Sequence, residues 1–103
     1  MLVTQAGDLD SLRKDYSNCM VDVTIEHLDK KTGTRAFKKA AQGACLEKRS
    51  AYIEALAKDE VAYGSTPEEA QEYAREEADS VMNAMVNGYD DMQQSNTRPS
   101  KET

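Results

Sequence analysis

Val21-Asp22-Val23-Thr24-Ile25-Glu26-His27-Leu28, continuing as Asp29-Lys30-Lys31-Thr32-Gly33-Thr34-Arg35-Ala36-Phe37-Lys38-Lys39, is the stretch on which the fold turns. Val21, Val23, Ile25 and His27 alternate with Asp22, Thr24 and Glu26, a period of two rich in β-branched residues. Such alternation suits a half-buried strand. Asp29 opens a turn, and Gly33 supplies a position where positive φ closes a short hairpin. Residues 34–39 then form the return strand, with Phe37 between cationic neighbours. The same residues also fit a helix. Leu9, Leu12, Tyr16, Cys19, Met20, Val23 and His27 share one face at three-and-four spacing, and Lys30 and Lys31 before Gly33 make a sound helix ending. That alternative leaves Val21, Ile25 and Leu28 toward the polar side. We therefore read a hairpin, with strands over residues 20–28 and 34–39.

Working outward, residues 1–8 form a short lead, and Asp8 caps a short helix carrying Leu9, Leu12 and Tyr16. After the hairpin, residues 40–62 read as a helix with two apolar stripes. One stripe is Ala41, Ala44, Cys45, Tyr52, Ala55 and Leu56, and the other is Leu46 and Ile53. Gly43 weakens its first turns by about 1 kcal/mol relative to alanine. Thr66-Pro67-Glu68-Glu69 then spells out a helix start, with a capping threonine, proline at the first helical position and a glutamate that reaches back. The helix spans 67–87, with Ala70, Ala74, Ala78, Val81, Met82, Met85 and Val86 inward, and Asn87-Gly88 stops it. The expected fold is α+β: a short N-terminal helix, a β-hairpin and two longer helices packed over it. The alternative is an all-α three-helix bundle. Residues 1–89 form one small domain, and 90–103, with a single large apolar residue, read as a disordered tail.

The chain has 39% apolar residues, no Trp and one Phe, so its core is thin. A partner or self-association into a dimer would help to complete it. Cys19 and Cys45 are too few for a disulfide framework. The first residues show neither a secretion signal nor a membrane span, so free thiols and a cytoplasmic setting are the expectation, with a Cys19–Cys45 bridge as the minority reading.

Charge is segregated. Residues 1–29 carry 6 acids and 2 bases, residues 30–49 carry 7 bases and 1 acid, and residues 50–103 carry 12 acids and 4 bases. The candidate basic surface is Lys30, Lys31, Arg35, Lys38 and Lys39, with Lys48 and Arg49 beyond it. The candidate acidic surface is Glu68, Glu69, Glu72, Glu76 and Asp79, of which Glu68, Glu72, Glu76 and Asp79 form a line on one helix face. The bland account of both is mutual pairing within the fold or a solvated face. The sharper account is docking, because complementary potentials steer and select partners. An overall charge of −6 argues against general coating of nucleic acid and against adsorption to anionic lipid.

Chemistry is poorly supported. His27 is the sole histidine and has no Ser or Cys beside it to activate, so a structural role is expected. Cys19, His27 and Cys45 lack zinc spacing, and Gly33, Gly43, Gly64 and Gly88 make no phosphate loop. Neither cofactor nor metal is expected. The function expected is a non-catalytic protein-binding or regulatory role, of the inhibitor or adaptor type that phages and mobile elements encode, exerted by surface occlusion. The alternatives are a nucleic-acid-associated protein using the basic hairpin, or an acidic DNA mimic.

Overall fold

The stretch read as a hairpin is helical. The computed structural model describes the backbone of residues 5–103 and side chains from Asp8 onward, and among these residues it contains four helices and no strand. They are α1 (Gln5–Asp29), α2 (Thr34–Gln42), α3 (Leu46–Ala62) and α4 (Pro67–Ser95). The α+β expectation is therefore corrected to an all-helical fold. The three-helix alternative matched the class but had one helix too few. Of the expected N-terminal lead, residues 5–8 are helical, Asp8 lies in the first turn of α1, and residues 1–4 lie outside the described part.

Packing explains the correction. Tyr16, Met20 and Thr24 fall one helical turn apart, and all three are fully buried. The Thr24 hydroxyl would be costly there without a partner, and it donates to the Met20 carbonyl at 2.7 Å, one turn back in the helix. β-Branched residues weaken a helix only modestly, and burial of this face outweighs that preference. Val21, assigned to the polar side of a helix, is also buried, at 3% exposure. It stands outside the main core cluster, between Asn18 and Asp22, which hold the C-terminal segment.

The turn is corrected as well. Gly33 has φ −64° and is the extended N-cap of α2, while Lys31 takes the left-handed conformation at φ 56°. The Thr32 amide donates to the His27 carbonyl at 3.0 Å and the Lys31 amide to Leu28 at 3.1 Å, the paired bonds of a Schellman ending. Gly64 ends α3 and Asn96 ends α4 with the same pairing and positive φ.

The expected helix over 40–62 is two helices. Gly43 closes α2, and Cys45, left-handed at φ 58°, opens α3. Cys45 is bonded to Cys19 of α1, with Cα atoms 6.2 Å apart, within the normal span of a disulfide. The free-thiol expectation is overturned, and neither sulfur is available as a ligand or nucleophile.

Helix α4 starts as expected. The Glu69 amide donates to the Thr66 hydroxyl at 3.2 Å, and the Thr66 amide donates to the Glu69 carboxylate at 3.1 Å. It does not stop at Asn87-Gly88 but continues through Ser95. Tyr89, wholly buried, is the reason the helix continues past the glycine. Ala70, Ala74 and Ala78 form a buried small-residue stripe on α4, and α3 brings Tyr52 and Leu56 into the same core. Of residues 90–103, read from sequence as a tail, those up to Ser95 continue α4, and the rest run back along α1. Among the described residues, no helix is long and apolar enough to cross a membrane.

Candidate interaction surfaces

Helix α2 is short and strongly two-sided. Phe37 and Ala41 are buried, whereas Arg35, Lys38 and Lys39 project to solvent on the opposite side. Phe37 stacks on Tyr89 of α4 at 4.0 Å and meets the His27 ring edge-on at 5.6 Å. The connection before α2 is tied down by the same tyrosine. Its hydroxyl donates to the Thr32 carbonyl at 2.6 Å, with the His27 carbonyl 3.0 Å away, and Gln93 also donates to Thr32. Burial holds the Tyr89 hydroxyl above its ordinary pKa, against the opposing effect of the Thr32 hydrogen bond. His27 lies 2.9 Å from the Thr32 hydroxyl through Nδ1. It is a packing and hydrogen-bonding residue of this junction.

The structure brings Arg35, Lys38 and Lys39 together on one exposed helix face and leaves Lys30 and Lys31 at the preceding turn. Lys30 is engaged within α1, 3.0 Å from Glu26. That hydrogen bond holds the Glu26 carboxyl below its usual range. Among the described residues, Lys31, Arg35, Lys38 and Lys39 make no ion pair.

The acidic residues divide differently. Glu68, Glu72 and Glu76 remain exposed along α4, and the Glu69 carboxylate is used in the capping box. Asp79 belongs to the fold: Arg49 of α3 bonds its carboxylate at 2.7 Å and donates to the Tyr16 hydroxyl of α1 at 3.3 Å. Burial disfavours the Arg49 charge, yet Tyr16 and Asp79 outweigh it and hold the guanidinium above its ordinary value. One member of each charge block is thus consumed in joining three helices. The line of four carboxylates becomes a line of three.

A third surface escaped sequence reading. Tyr63, just beyond α3, is 82% exposed, and Tyr73, early in α4, is 41% exposed; both line an open groove with the buried Tyr52. Its available signal was a pair of tyrosines flanking the Gly64 turn in a chain with no Trp. The Cys19–Cys45 pairing had no comparable signal, because a separation of 26 residues says nothing about proximity in space.

The C-terminal segment straps α1 through a series of polar contacts. Arg13 grips Glu102 with both terminal guanidinium nitrogens, Nη2 at 2.8 Å and Nη1 at 2.9 Å. Asn18 exchanges two hydrogen bonds with the Glu102 backbone, Lys101 reaches Asp22 at 3.0 Å, and Arg98 pairs with Asp29.

Among the described residues, these features define a small, disulfide-linked four-helix unit with separated charged faces. In comparisons with protein-family models, with curated proteins and with solved structures, the chain matches none.

Proposed function

We propose that this chain is a non-catalytic interaction protein that occupies a surface of another protein, in the manner of an inhibitor or adaptor. The observation that carries the reading is α2. It holds three cations and no acid, turns them to solvent, and is fixed in place by the Phe37–Tyr89 stack. A rigid charged helix face costs little ordering entropy when it docks, and its sign selects an acidic patch on the partner. Glu68, Glu72 and Glu76 offer a second face of opposite sign. In a self-associated form, these two faces would meet between copies. The Cys19–Cys45 bond supports an oxidising environment rather than the reducing cytoplasm expected of free thiols.

The test is affinity capture from the native host with the oxidised protein. One dominant partner is expected, lost when Lys38 and Lys39 are changed to glutamate. Retardation of DNA or RNA with a steep salt slope, absent in the same variant, would replace the protein-partner reading with a nucleic-acid one. A dimer in sedimentation that dissociates on the same charge reversal would identify the partner as a second copy.

A further inference from the structure

The tyrosine groove lies at the end of the bundle remote from α2. Tyr73 precedes Tyr89 on α4 by about 24 Å of helix. Leu9 of α1 and Leu56 of α3, with Tyr52, form its inner wall, and Tyr63 and Tyr73 present large aromatic area to solvent. Such area left in water beside an apolar wall marks a contact surface. The rim is acidic: Asp10, Asp59 and Glu77 line the same groove. Among the described residues its one cation, Arg13, is already engaged by Glu102 and Asp10. The field of Glu77 is felt by two of the phenols, Tyr73 and Tyr52. Glu77 is the main cause that holds the Tyr73 hydroxyl above its ordinary pKa, with burial and Glu60 adding to it. For Tyr52, burial comes first and Glu77 adds to it.

We propose that this groove docks an arginine- or lysine-bearing segment of a protein partner, its cationic head against the Tyr63 and Tyr73 rings with Asp59 and Glu77 as counter-charges. Aromatic faces beside carboxylates attract a cation through both the ring quadrupole and the opposite charge. The same acids repel phosphate, so nucleic acid and anionic lipid are disfavoured here. The groove is open along its length, which suits a chain segment laid across it. The inference concerns residues separate from α2 and does not rest on the function proposed above.

The experiment is an NMR titration with an Arg-Gly repeat peptide, with affinity measured by anisotropy of its rhodamine-labelled form and a Glu-Gly repeat as the comparison. Saturable binding of the Arg-Gly peptide alone is expected, with shifts in the Tyr63 and Tyr73 ring resonances. Joint Tyr63→Ala and Tyr73→Ala substitution should weaken it roughly tenfold, while Tyr63→Phe should bind as well as the parent. Neutralising Asp59, Glu60 and Glu77 to amides should weaken binding far more than neutralising Glu68, Glu72 and Glu76, which removes the same charge elsewhere. Charge reversal at Lys38 and Lys39 should not weaken it. Circular dichroism checks that each variant folds. Absence of saturable binding, or equal losses from the two amide sets, would overturn the proposal; equal losses would mean attraction to net charge alone.

Discussion

Phe37 and Tyr89 lie nearly parallel, 4.0 Å between ring centres and 11° between planes, and through this one stack α4 carries α2. Both rings are wholly buried, yet α2 contributes only one other buried side chain, Ala41. The exposed basic face is therefore anchored by the Tyr89 stack and the edge-on His27 contact, backed by the Tyr89 hydrogen bonds.

Truncation of Phe37 to alanine should accordingly cost about 3–5 kcal/mol, the usual range for losing a buried phenylalanine. Tyr89→Phe should cost only about 1 kcal/mol, because Gln93 still donates to the Thr32 carbonyl at 3.1 Å. Urea unfolding followed by circular dichroism separates the two. Equal losses would mean that the hydroxyl, not the stack, fixes α2.

Reduction of Cys19–Cys45, or its replacement by paired serines, should lower stability by about 3–4 kcal/mol for a separation of 26 residues. The oxidised and reduced proteins can be compared in the same urea titration. The left-handed Cys45 backbone should be the first site to show faster amide exchange after reduction, since its conformation is one that few non-glycine residues adopt.

Thr66→Ala removes the acceptor for the Glu69 amide and should cost about 1 kcal/mol, and Thr66→Ser should restore nearly all of it. The loss should appear as fraying of the first turn of α4, detectable by amide exchange at residues 68–70.

The strap on α1 should respond to acid and salt. The hydrogen bond from Arg13 holds the Glu102 carboxyl below its usual range. A depressed carboxylate contributes to the docked state above the ordinary glutamate value of about 4.3, and that contribution is lost as pH falls through the lowered value. Amide relaxation of residues 100–103 should therefore report release at low pH and, at neutral pH, in high salt. Arg13→Gln should give the released pattern at neutral pH without added salt. An immobile segment under all three conditions would contradict an ionic attachment.

The portion of the fold legible in the sequence was the portion decided locally. Thr66, Pro67 and Glu69 specify a helix start with their own side chains, and Ala70, Ala74 and Ala78 repeat on one face, so α4 could be read up to Asn87. Its last turns could not, because they depend on Tyr89 meeting Phe37, more than fifty residues away in sequence. Residues 21–28 satisfy a period of two and a period of 3.6 at once, and the decision between them came from burial of Tyr16, Met20 and Thr24 against other helices. Arg35, Lys38 and Lys39 were recognised as a group from composition, but their helical face was not. Asp79 was grouped with the acidic line because spacing cannot reveal that Arg49 arrives from a different helix.

The bond between Cys19 and Cys45 also makes a covalent ring of everything between them, α2 included. If the molecule is held by its two ends and pulled in a single-molecule tether, that ring stays closed while the remainder lengthens. The oxidised chain should stop about 85 Å short of the reduced one, given some 3.4 Å of contour per residue. The basic helix would thus travel through mechanical extension, or through passage across a narrow translocation pore, as a closed loop rather than a thread.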